Sequence, residues 1–498
     1  MRERKHAQND YKCKFFIHTG IQHIVMPQCF ISLIFRHLKP AGQGTIFRPR
    51  CAEIRLCIRT NMKESVQDLE KIVINGGKEL FGEINISGAK NAVLAILPAT
   101  ILAQDICRIE NLPDISDVKI MVDILSLLGA QVKYINRSTI EVDTRFVNSS
   151  EVPYEYAKQM RASYYFIGAL LGRFSKASVA MPGGCFFGVR PIDQHIKGFE
   201  ALGCTVDIEN AIVNASVDGN MYGSSIYMDK VSVGATINIM LAAVKARGLT
   251  IIEHAAKEPH IVDLANFLNT MGADVRGAGT DVIKIRGVEK LHGCTYSVVP
   301  DQIEAGTYMV AVAATGGNVL INHVIPKHLE SITSKLEECG IIVEEDDESV
   351  RIISNRRPKK CTVKTMPHPG FPTDMQPQMA VLLTLADGTS IISESVWDSR
   401  FRYIDQLLRF GAKVQVNGNL AVIEGVEKLK GAPVKAVDLR AGAAMIIAGL
   451  CAEGKTEIED IKYIDRGYED VVEKLRNVGA DISRVEIKDP QATVVNAG

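Results

Sequence analysis

The chain has 498 residues, of which 46% are apolar, 23% charged and 6% aromatic. That is enough for roughly two to four domains with cores of their own, and it excludes disordered and fibrous proteins. Lys and Arg number 57 against 58 Asp and Glu, a formal charge of −1, so the molecule lacks the strong positive field of a general nucleic-acid binder. Any anion must therefore be met by local charges.

Apolar runs and cysteines both indicate a soluble cytoplasmic protein. The longest apolar runs, 92–103 and 443–452, fall short of the ~20 residues of a membrane helix. The eleven cysteines are scattered and include no Cys-x-x-Cys pair, which favours reduced, mostly buried thiols and disfavours a structural zinc site. We therefore expect no metal and no membrane association.

Residues 1–61 differ from the rest of the chain. They hold 11 Lys or Arg and 3 acids (11 − 3 = +8), which leaves 46 − 55 = −9 for the remainder. A targeting peptide is one reading, but an apolar core with a small-residue cleavage site is missing. Met62 begins a polar stretch typical of an ordinary start. We expect 1–61 to be a disordered extension or an upstream translation artefact.

A short pattern of an apolar residue, glycine, a small or apolar residue and then an alternating apolar stretch recurs about every 70 residues. Each copy follows a helical pattern, so its glycine is predicted to end a helix in the left-handed conformation. A unit of this size, with strands and two helices, is typical of a small α+β subdomain, and six units suggest two lobes of three. The six glycines are Gly129, Gly203, Gly272, Gly340, Gly411 and Gly479.

Four loop segments carry a cation beside small residues, which let backbone amides approach an anion while Lys or Arg neutralises it. One such cation alone is more often a solvated surface charge, but four together favour a binding site for phosphate or carboxylate. The Lys90 segment also enters an apolar helix pattern, whose N-terminus could face an anion. The segments are Gly88-Ala-Lys90-Asn91, Met160-Arg161-Ala-Ser163, the stretch from Pro182 through Cys185 and Arg190 to Asp193, and Ile464-Asp465-Arg466-Gly467.

Cys185 lies among three glycines, and this composition is typical of a mobile lid. An unperturbed thiol keeps its proton at neutral pH and can donate it, whereas Arg190 nearby favours the thiolate, so both acid and nucleophile stay open. Asp374, in a proline-rich loop, and Asp438, before an apolar helix, are the candidate bases. Asp438 is also a typical helix N-cap.

These residues together resemble the UDP-N-acetylglucosamine 1-carboxyvinyltransferases, a family of enolpyruvyl transferases related to EPSP synthase. The resemblance runs from about Met62 to Lys488. It is carried by the four cation segments and by Met228-Asp-Lys230-Val-Ser232-Val-Gly234, Phe371-Pro-Thr-Asp374-Met-Gln and Asp438-Leu-Arg440-Ala.

The resemblance implies an inside-out α/β barrel, of α/β (α+β) class, with two lobes each of three βαβαββ repeats. One lobe is expected to be discontinuous, made of 70–90 plus 300–490, and to be catalytic. The other, 91–299, carries the Cys185 lid, and the substrates are expected between the lobes.

The family reaction moves the enolpyruvyl group of phosphoenolpyruvate to the 3-hydroxyl of UDP-N-acetylglucosamine by addition and elimination, without a cofactor. The resemblance makes Cys185 the general acid at C3 and Asp374 the base for the hydroxyl. Lys90, Arg190 and Arg466 would hold the phosphate, while Arg440, with Arg400 in support, would engage the carboxylate. The remaining substrate-binding positions are Asn91, Arg161, Pro191, Ile192, Asp193, Gln194, Lys230, Val231, Ser232, Val233, Val396 and Asp438.

The sequence differs from the family in two places, and it leaves two alternative functions open. Phe186 and Phe187 stand where smaller residues are common, which affects lid packing, and 1–61 have no counterpart. The sister enzyme that acts on shikimate 3-phosphate shares the fold but lacks the lid cysteine. A non-catalytic paralogue that only binds the nucleotide sugar is the alternative outside enzymes. Oligomeric state is not indicated by the sequence.

Overall fold

The computed structural model describes residues 70–181 and 192–486. Residues 182–191, for which the sequence predicted a lid with Cys185, Arg190 and Pro191, and the segment 1–61 lie outside the described residues. The described helices are α1 (Lys90–Ala99), α2 (Ser116–Leu127), α3 (Tyr154–Ala157), α4 (Tyr165–Phe174), α5 (Asp193–Ala201), α6 (Val233–Ala243), α7 (Pro259–Thr270), α8 (Gln302–Thr315), α9 (Glu330–Glu338), α10 (Gln376–Thr384), α11 (Ile404–Arg409), α12 (Leu439–Cys451) and α13 (Val471–Asn477).

The strands are short, and most have three to six residues. In chain order they are β1 (Glu70–Asn75), β2 (Leu80–Asn85), β3 (Ile106–Glu110), β4 (Gln131–Asn136), β5 (Thr139–Asp143), β6 (Glu151–Val152), β7 (Lys176–Ala180), β8 (Thr205–Glu209), β9 (Ile212–Ser216), β10 (Ser225–Tyr227), β11 (Leu249–Glu253), β12 (Asp274–Arg276), β13 (Val282–Arg286), β14 (Thr295–Ser297), β15 (Gly317–Asn322), β16 (Ile342–Glu345), β17 (Ser349–Ser354), β18 (Thr362–Lys364), β19 (Thr389–Ser393), β20 (Lys413–Asn417), β21 (Leu420–Glu424), β22 (Pro433–Lys435), β23 (Lys455–Glu459) and β24 (Asp481–Glu486).

Within the described residues the strands form six four-stranded sheets of one repeated design. In the sheet β6-β7-β9-β8, β6 pairs parallel with β7, β7 pairs antiparallel with β9, and β8 and β9 form a hairpin. Helix α4 precedes β7 and helix α5 precedes the hairpin, so the unit reads βαβαββ. The sheets β10-β11-β13-β12 and β18-β19-β21-β20 repeat this order.

The other three sheets are completed by strands far away in sequence. Strand β14 adds parallel to β3, which precedes it by about 190 residues of chain. Strand β2 adds parallel to β15. Strand β1 lies between β23 and β24 and is antiparallel to both. The first and last described segments therefore close one sheet together.

Two hydrophobic cores organise the sheets. One is built from buried residues within 89–298, and we call this part lobe A. The other is built from residues within 72–86 and 303–482, and we call it lobe B. In lobe B the apolar helices α8, α10 and α12 pack against one another and are buried on nearly all sides.

With six four-stranded sheets in two groups of three and buried helices packed on one another in the core of lobe B, the fold is the inside-out α/β barrel that the resemblance implied. A helix that is apolar all round belongs in the middle of a core, and α8, α10 and α12 meet that condition. None of the described helices has the length and apolar character needed to cross a bilayer.

The six repeat glycines all adopt the left-handed region, with φ between 84° and 104°. Each follows a helix and precedes a strand, for example Gly203 between α5 and β8. An L residue with a side chain is strained at such φ values. The sequence prediction for these glycines is confirmed.

The chain crosses between the lobes in two neighbouring segments. Ala89 N–H donates to Val299 O at 2.7 Å, and Asp301 N–H donates to Ser87 O at 2.9 Å. At Gly88 a Cβ atom would lie 1.7 Å from Asn111 O, so only glycine fits this crossing. Lys90 follows at once as the first residue of α1.

Candidate active site

Lys90 and Arg466 meet on one buried carboxylate, that of Asp117. Lys90 Nζ lies 2.8 Å from Asp117 Oδ2, and Arg466 Nε donates to Asp117 Oδ1 at 2.8 Å. The Asp117 side chain is 1% exposed. Lys90 stands at the crossing between the lobes, Asp117 is on α2 of lobe A, and Arg466 follows β23 in lobe B. The structure therefore brings cations from distant parts of the sequence to one point.

The charges of this cluster depend on each other. Burial alone would raise the pKa of Asp117, but Lys90 and Arg466 outweigh it and hold that pKa below its usual value. For Lys90, burial lowers the pKa, Asp117 opposes this, and the positive charges of Arg440 and Arg466 add to the lowering. Asp117 is therefore the group that favours the charged form of Lys90.

A second carboxylate, Asp374, holds two more arginines. Arg400 Nη2 donates to Asp374 Oδ1 at 3.2 Å, and Arg440 Nε donates to Oδ2 at 3.1 Å. Both guanidinium groups are almost fully buried, whereas the Asp374 side chain is 33% exposed. Burial raises the pKa of Asp374, but Arg440 and Arg400 outweigh it and lower the pKa to about 2.

Asp438 and Tyr468 fix the position of Arg440. Asp438 is the N-cap of α12 and accepts from the backbone N–H groups of Arg440 and Ala441, each at 2.9 Å. The Arg440 guanidinium carbon lies 5.4 Å from the centre of the Tyr468 ring. Its Nη1 atom is buried and has no hydrogen-bond partner in the described part of the chain. The N-cap reading of Asp438 is confirmed.

The two carboxylate-centred clusters are close enough to act on each other. The charge of Arg440 lowers the pKa of Lys90, and the charge of Lys90 lowers the pKa of Asp374. Lys90, Arg400, Arg440 and Arg466 thus form one positive region that contains two carboxylates. A phosphate and a carboxylate of a small ligand are the anions that suit it, because Arg binds both in bidentate fashion.

The backbone N–H of Lys90 is already used. It donates to Asp301 Oδ2 at 3.0 Å, and Asp301 also caps α8 through its other oxygen. The sequence suggested that the first turn of α1 could face an anion, and in this structure the carboxylate of Asp301 takes its first N–H. Asn91, the second residue of α1, is half-buried beside Lys90.

Arg161 of lobe A lies near Trp397 of lobe B, the residue that follows Val396 in the chain. The Arg161 guanidinium carbon is 6.0 Å from the centre of the Trp397 ring. The backbone N–H groups of Val396 and Trp397 donate to Glu394 Oε1 at 2.8 and 3.1 Å. The indole of lobe B therefore faces a cation of lobe A.

Glu394 ties this loop to the one that holds Asp374. Besides the two backbone N–H groups, it accepts from Thr365 Oγ1 at 2.7 Å and from Thr373 Oγ1 at 3.0 Å. The side chain is buried, 2% exposed. A buried carboxylate with four donors is well satisfied and fixes Thr373, the neighbour of Asp374.

A third group of expected residues lies at the starts of α5 and α6. Gln194 links Asp193 to the 229–233 segment, because its Nε2 donates to Asp193 Oδ2 at 2.9 Å and to Asp229 Oδ2 at 3.2 Å. Ser232 caps α6 by accepting from Ala235 N–H at 3.3 Å. Ile192 is buried, Lys230 is exposed, and Val231 and Val233 are half-buried.

Sequence reasoning missed two carboxylates of the site, Asp117 and Glu394. Asp117 looks like an ordinary acidic residue in the first turn of a helix, and Glu394 like the end of a strand. Their partners lie up to 349 residues away, so no local pattern points to them. Among the described residues no group of three His, Cys, Asp or Glu side chains is arranged to hold a metal ion.

The chain is similar to known enolpyruvyl transferases along its described length. Residues 74–475 match the family described as EPSP synthase (3-phosphoshikimate 1-carboxyvinyltransferase). The chain is 58% identical over 417 residues to UDP-N-acetylglucosamine 1-carboxyvinyltransferase 3 of Caldanaerobacter subterraneus subsp. tengcongensis, covering 84% of this chain and 100% of the relative. It is 57% identical to UDP-N-acetylglucosamine 1-carboxyvinyltransferase of Clostridium botulinum, with the same coverage.

Among solved structures, the enolpyruvyl transferase NikO from Streptomyces tendae has a TM-score of 0.76 and 25% sequence identity. The similarity covers 84% of this chain and 100% of NikO. By fold and by sequence, the chain belongs to the EPSP synthase family and, within it, to the UDP-N-acetylglucosamine 1-carboxyvinyltransferases.

Proposed function

We propose that the protein transfers the enolpyruvyl group of phosphoenolpyruvate to the 3-hydroxyl of UDP-N-acetylglucosamine and releases phosphate. This is the first committed step of peptidoglycan synthesis, and we place it in the cytoplasm. The single observation that carries the proposal is the pair of carboxylate-centred cation clusters, Lys90 with Arg466 and Arg400 with Arg440. One pair suits a phosphate and the other a carboxylate, and phosphoenolpyruvate carries both.

The reaction needs four proton or charge movements. C3 of phosphoenolpyruvate gains a proton while the sugar oxygen bonds to C2, and the hydroxyl proton leaves. Elimination then removes a proton from C3, breaks the bond between C2 and the phosphate oxygen, and restores the double bond. Lys90, Arg466 and Arg190 hold the phosphate and stabilise its charge as it leaves.

Cys185 is proposed as the acid at C3 and Asp374 as the base at the sugar hydroxyl. With two arginines bound, Asp374 has a pKa of about 2 and is a weak base. Of the charges that lower the pKa of Asp374, that of Arg440 has the largest effect. A substrate carboxylate that binds Arg440 would offset this charge and so raise the pKa of Asp374. Binding of phosphoenolpyruvate therefore strengthens the base at the moment it is needed.

The nucleotide sugar is proposed to lie between the lobes, against Asn91, Arg161, Asp193, Gln194 and Val396. Ile192, the 230–233 segment, Asp438 and the lid residues Arg190 and Pro191 complete its surroundings. The lobe made of 70–90 and 300–490 is the catalytic one, and 91–299 carries the lid. Closure of one lobe on the other would exclude water from the reacting atoms.

The test is an assay of inorganic phosphate released from phosphoenolpyruvate by the purified full chain. Phosphate release is expected with UDP-N-acetylglucosamine and not with shikimate 3-phosphate as acceptor. Cys185→Ala should abolish release, whereas Cys185→Asp, another acid of similar reach, should retain part of it. The proposal would be overturned if phosphate were released with shikimate 3-phosphate but not with UDP-N-acetylglucosamine. It would also be overturned if neither acceptor supported phosphate release.

A further inference from the structure

Asp117 uses both carboxylate oxygens on two cations that reach it from different places in the fold. Oδ2 is 2.8 Å from Lys90 Nζ and 3.4 Å from Arg466 Nη2, and Oδ1 is 2.8 Å from Arg466 Nε. With the side chain 1% exposed, solvent screens these contacts little. Lys90 and Arg466 are therefore held side by side by one group.

We propose that Asp117 is a positioning residue that holds Lys90 and Arg466 together as a ready-made site for the phosphoryl group of the substrate. The inference rests on the proposed function, because that function supplies the phosphate. Two separate cations would each have to be ordered when the anion binds, whereas a pair fixed in advance is already placed. One carboxylate against two cations also leaves one positive charge for the anion.

Asp117 is not needed to dock the Arg466 loop on lobe A, because other contacts do this. Ser116 N–H donates to Asp465 O at 3.0 Å, and Asp114 N–H donates to Glu469 Oε1 at 3.1 Å. Arg137 Nη1 lies 2.6 Å from Asp470 Oδ2. A variant that loses only the Asp117 charge is therefore expected to keep the loop in place.

The charges around Lys90 give the inference a second consequence. The charges that act on the Lys90 side chain are those of Asp117, Arg440 and Arg466. Asp301 accepts a hydrogen bond from the Lys90 backbone N–H, and the charge of Lys90 lowers the pKa of Asp374. Burial already lowers the pKa of Lys90, and Asp117 is the group that opposes this. Without the Asp117 charge, Lys90 should lose its proton at a lower pH.

The test compares Asp117→Asn with the full wild-type chain. We expect the affinity for inorganic phosphate, measured by titration calorimetry at pH 8, to fall at least tenfold, and to recover in part at pH 6 relative to wild type at the same pH, because a lower pH favours the charged form of Lys90. In the transfer assay the KM for phosphoenolpyruvate should rise with pH, while the KM for UDP-N-acetylglucosamine stays close to wild type. A merely structural role for Asp117 would not produce this split or the recovery.

Asp123→Asn is the matched control, because Asp123 lies on the same helix α2 and is exposed. It should leave phosphate affinity and both KM values unchanged. Asp117→Glu keeps the charge but moves the carboxylate by one CH₂ group, so it should fold and still weaken phosphate binding at all pH values. This variant decides the question if Asp117→Asn does not fold.

Unchanged phosphate affinity in a folded Asp117→Asn or Asp117→Glu protein would overturn the inference, even if the wild-type chain is an active transferase. Conversely, a wild-type chain that releases no phosphate from its substrates would overturn the proposed function. The calorimetric comparison with inorganic phosphate would still test the role of Asp117 in that case.

Discussion

Asp374 shows how one carboxylate can organise a site and weaken itself as a base. It accepts from Arg400 at 3.2 Å and from Arg440 at 3.1 Å, and these arginines lower its pKa to about 2 against the opposing effect of burial. With both arginines in contact, Asp374 therefore stays ionised at every pH near neutrality. The proton-accepting role proposed for Asp374 therefore depends on how the substrate changes its contacts with the two arginines.

Asp374→Asn is expected to lower kcat by about 10² to 10⁴, the range associated with loss of a general base. The neutral amide cannot take the hydroxyl proton and also leaves two buried guanidinium groups without their anion. Binding of UDP-N-acetylglucosamine, measured by calorimetry, should remain within a few-fold of wild type. The exposed Asp398 supplies the control Asp398→Asn, which should keep full activity. Wild-type phosphate release by Asp374→Asn would contradict the base assignment.

At the scale of single residues, the sequence analysis singled out the candidate cations but not Asp117, the carboxylate that contacts two of them. Lys90, Asp374, Arg440 and Arg466 stand in short motifs of unusual composition, and the structure brings them together. Asp117 has no such motif, since a carboxylate in the first turn of a helix is common. Its significance appears only when α2 and the Arg466 loop come together in the folded chain.

Among the elements, helix α12 depends on its N-cap both for stability and for the placement of Arg440. Asp438→Ala removes the acceptor for two backbone N–H groups, at 2.9 Å each. The expected cost is about 1 kcal/mol, within a range of about 0.5–2, together with a higher KM for phosphoenolpyruvate because Arg440 shifts. Denaturant unfolding and steady-state kinetics measure the two effects.

Asp438→Asn is the matched variant, since an asparagine oxygen caps a helix about as well. It should restore most of the lost stability. Equal losses in the two variants would mean that Asp438 acts through its charge and not as a cap.

The repeat glycines offer a test of the helix ends. Gly411 has φ +85°, and a Cβ atom there would meet no heavy atom within 4 Å. Gly411→Ala should therefore destabilise the protein by about 1–2 kcal/mol through backbone strain alone. Gly411→Asn should lose less, because asparagine tolerates the left-handed region. Equal stability of Ala and Gly at 411, measured by denaturant unfolding, would contradict this account.

At the scale of the whole molecule, the repeat predicted the number of sheets, and the structure shows which strands complete them. The glycine spacing indicated six units in two lobes, and six sheets are present in the described residues. It did not indicate that β1 and β2 close sheets of lobe B, or that β14 returns to pair with β3. Such pairings join segments hundreds of residues apart, so they follow from the packing of both cores and not from any local pattern.

The acid stability of the molecule should depend on His195, which lies on α5 and is 5% exposed. Burial, aided by the positive charge of Arg161, lowers the pKa of His195 to about 4 from an ordinary value of about 6.5. The folded protein thus disfavours the protonated ring, whereas the unfolded chain accepts the proton near pH 6.5. The stability linked to the neutral ring is fully present above that pH and is lost as the pH falls towards 4.

We therefore expect His195→Gln to flatten the decline of unfolding free energy between pH 6.5 and 4, a decline to which His195 contributes up to about 3 kcal/mol. Denaturant unfolding at a series of pH values measures it. His292→Gln, which changes an exposed histidine, should keep the wild-type slope, because it leaves the buried His195 ring in place. If His195→Gln and the wild-type chain lose stability in parallel over this range, burial of the neutral His195 ring is not what makes the folded protein sensitive to acid.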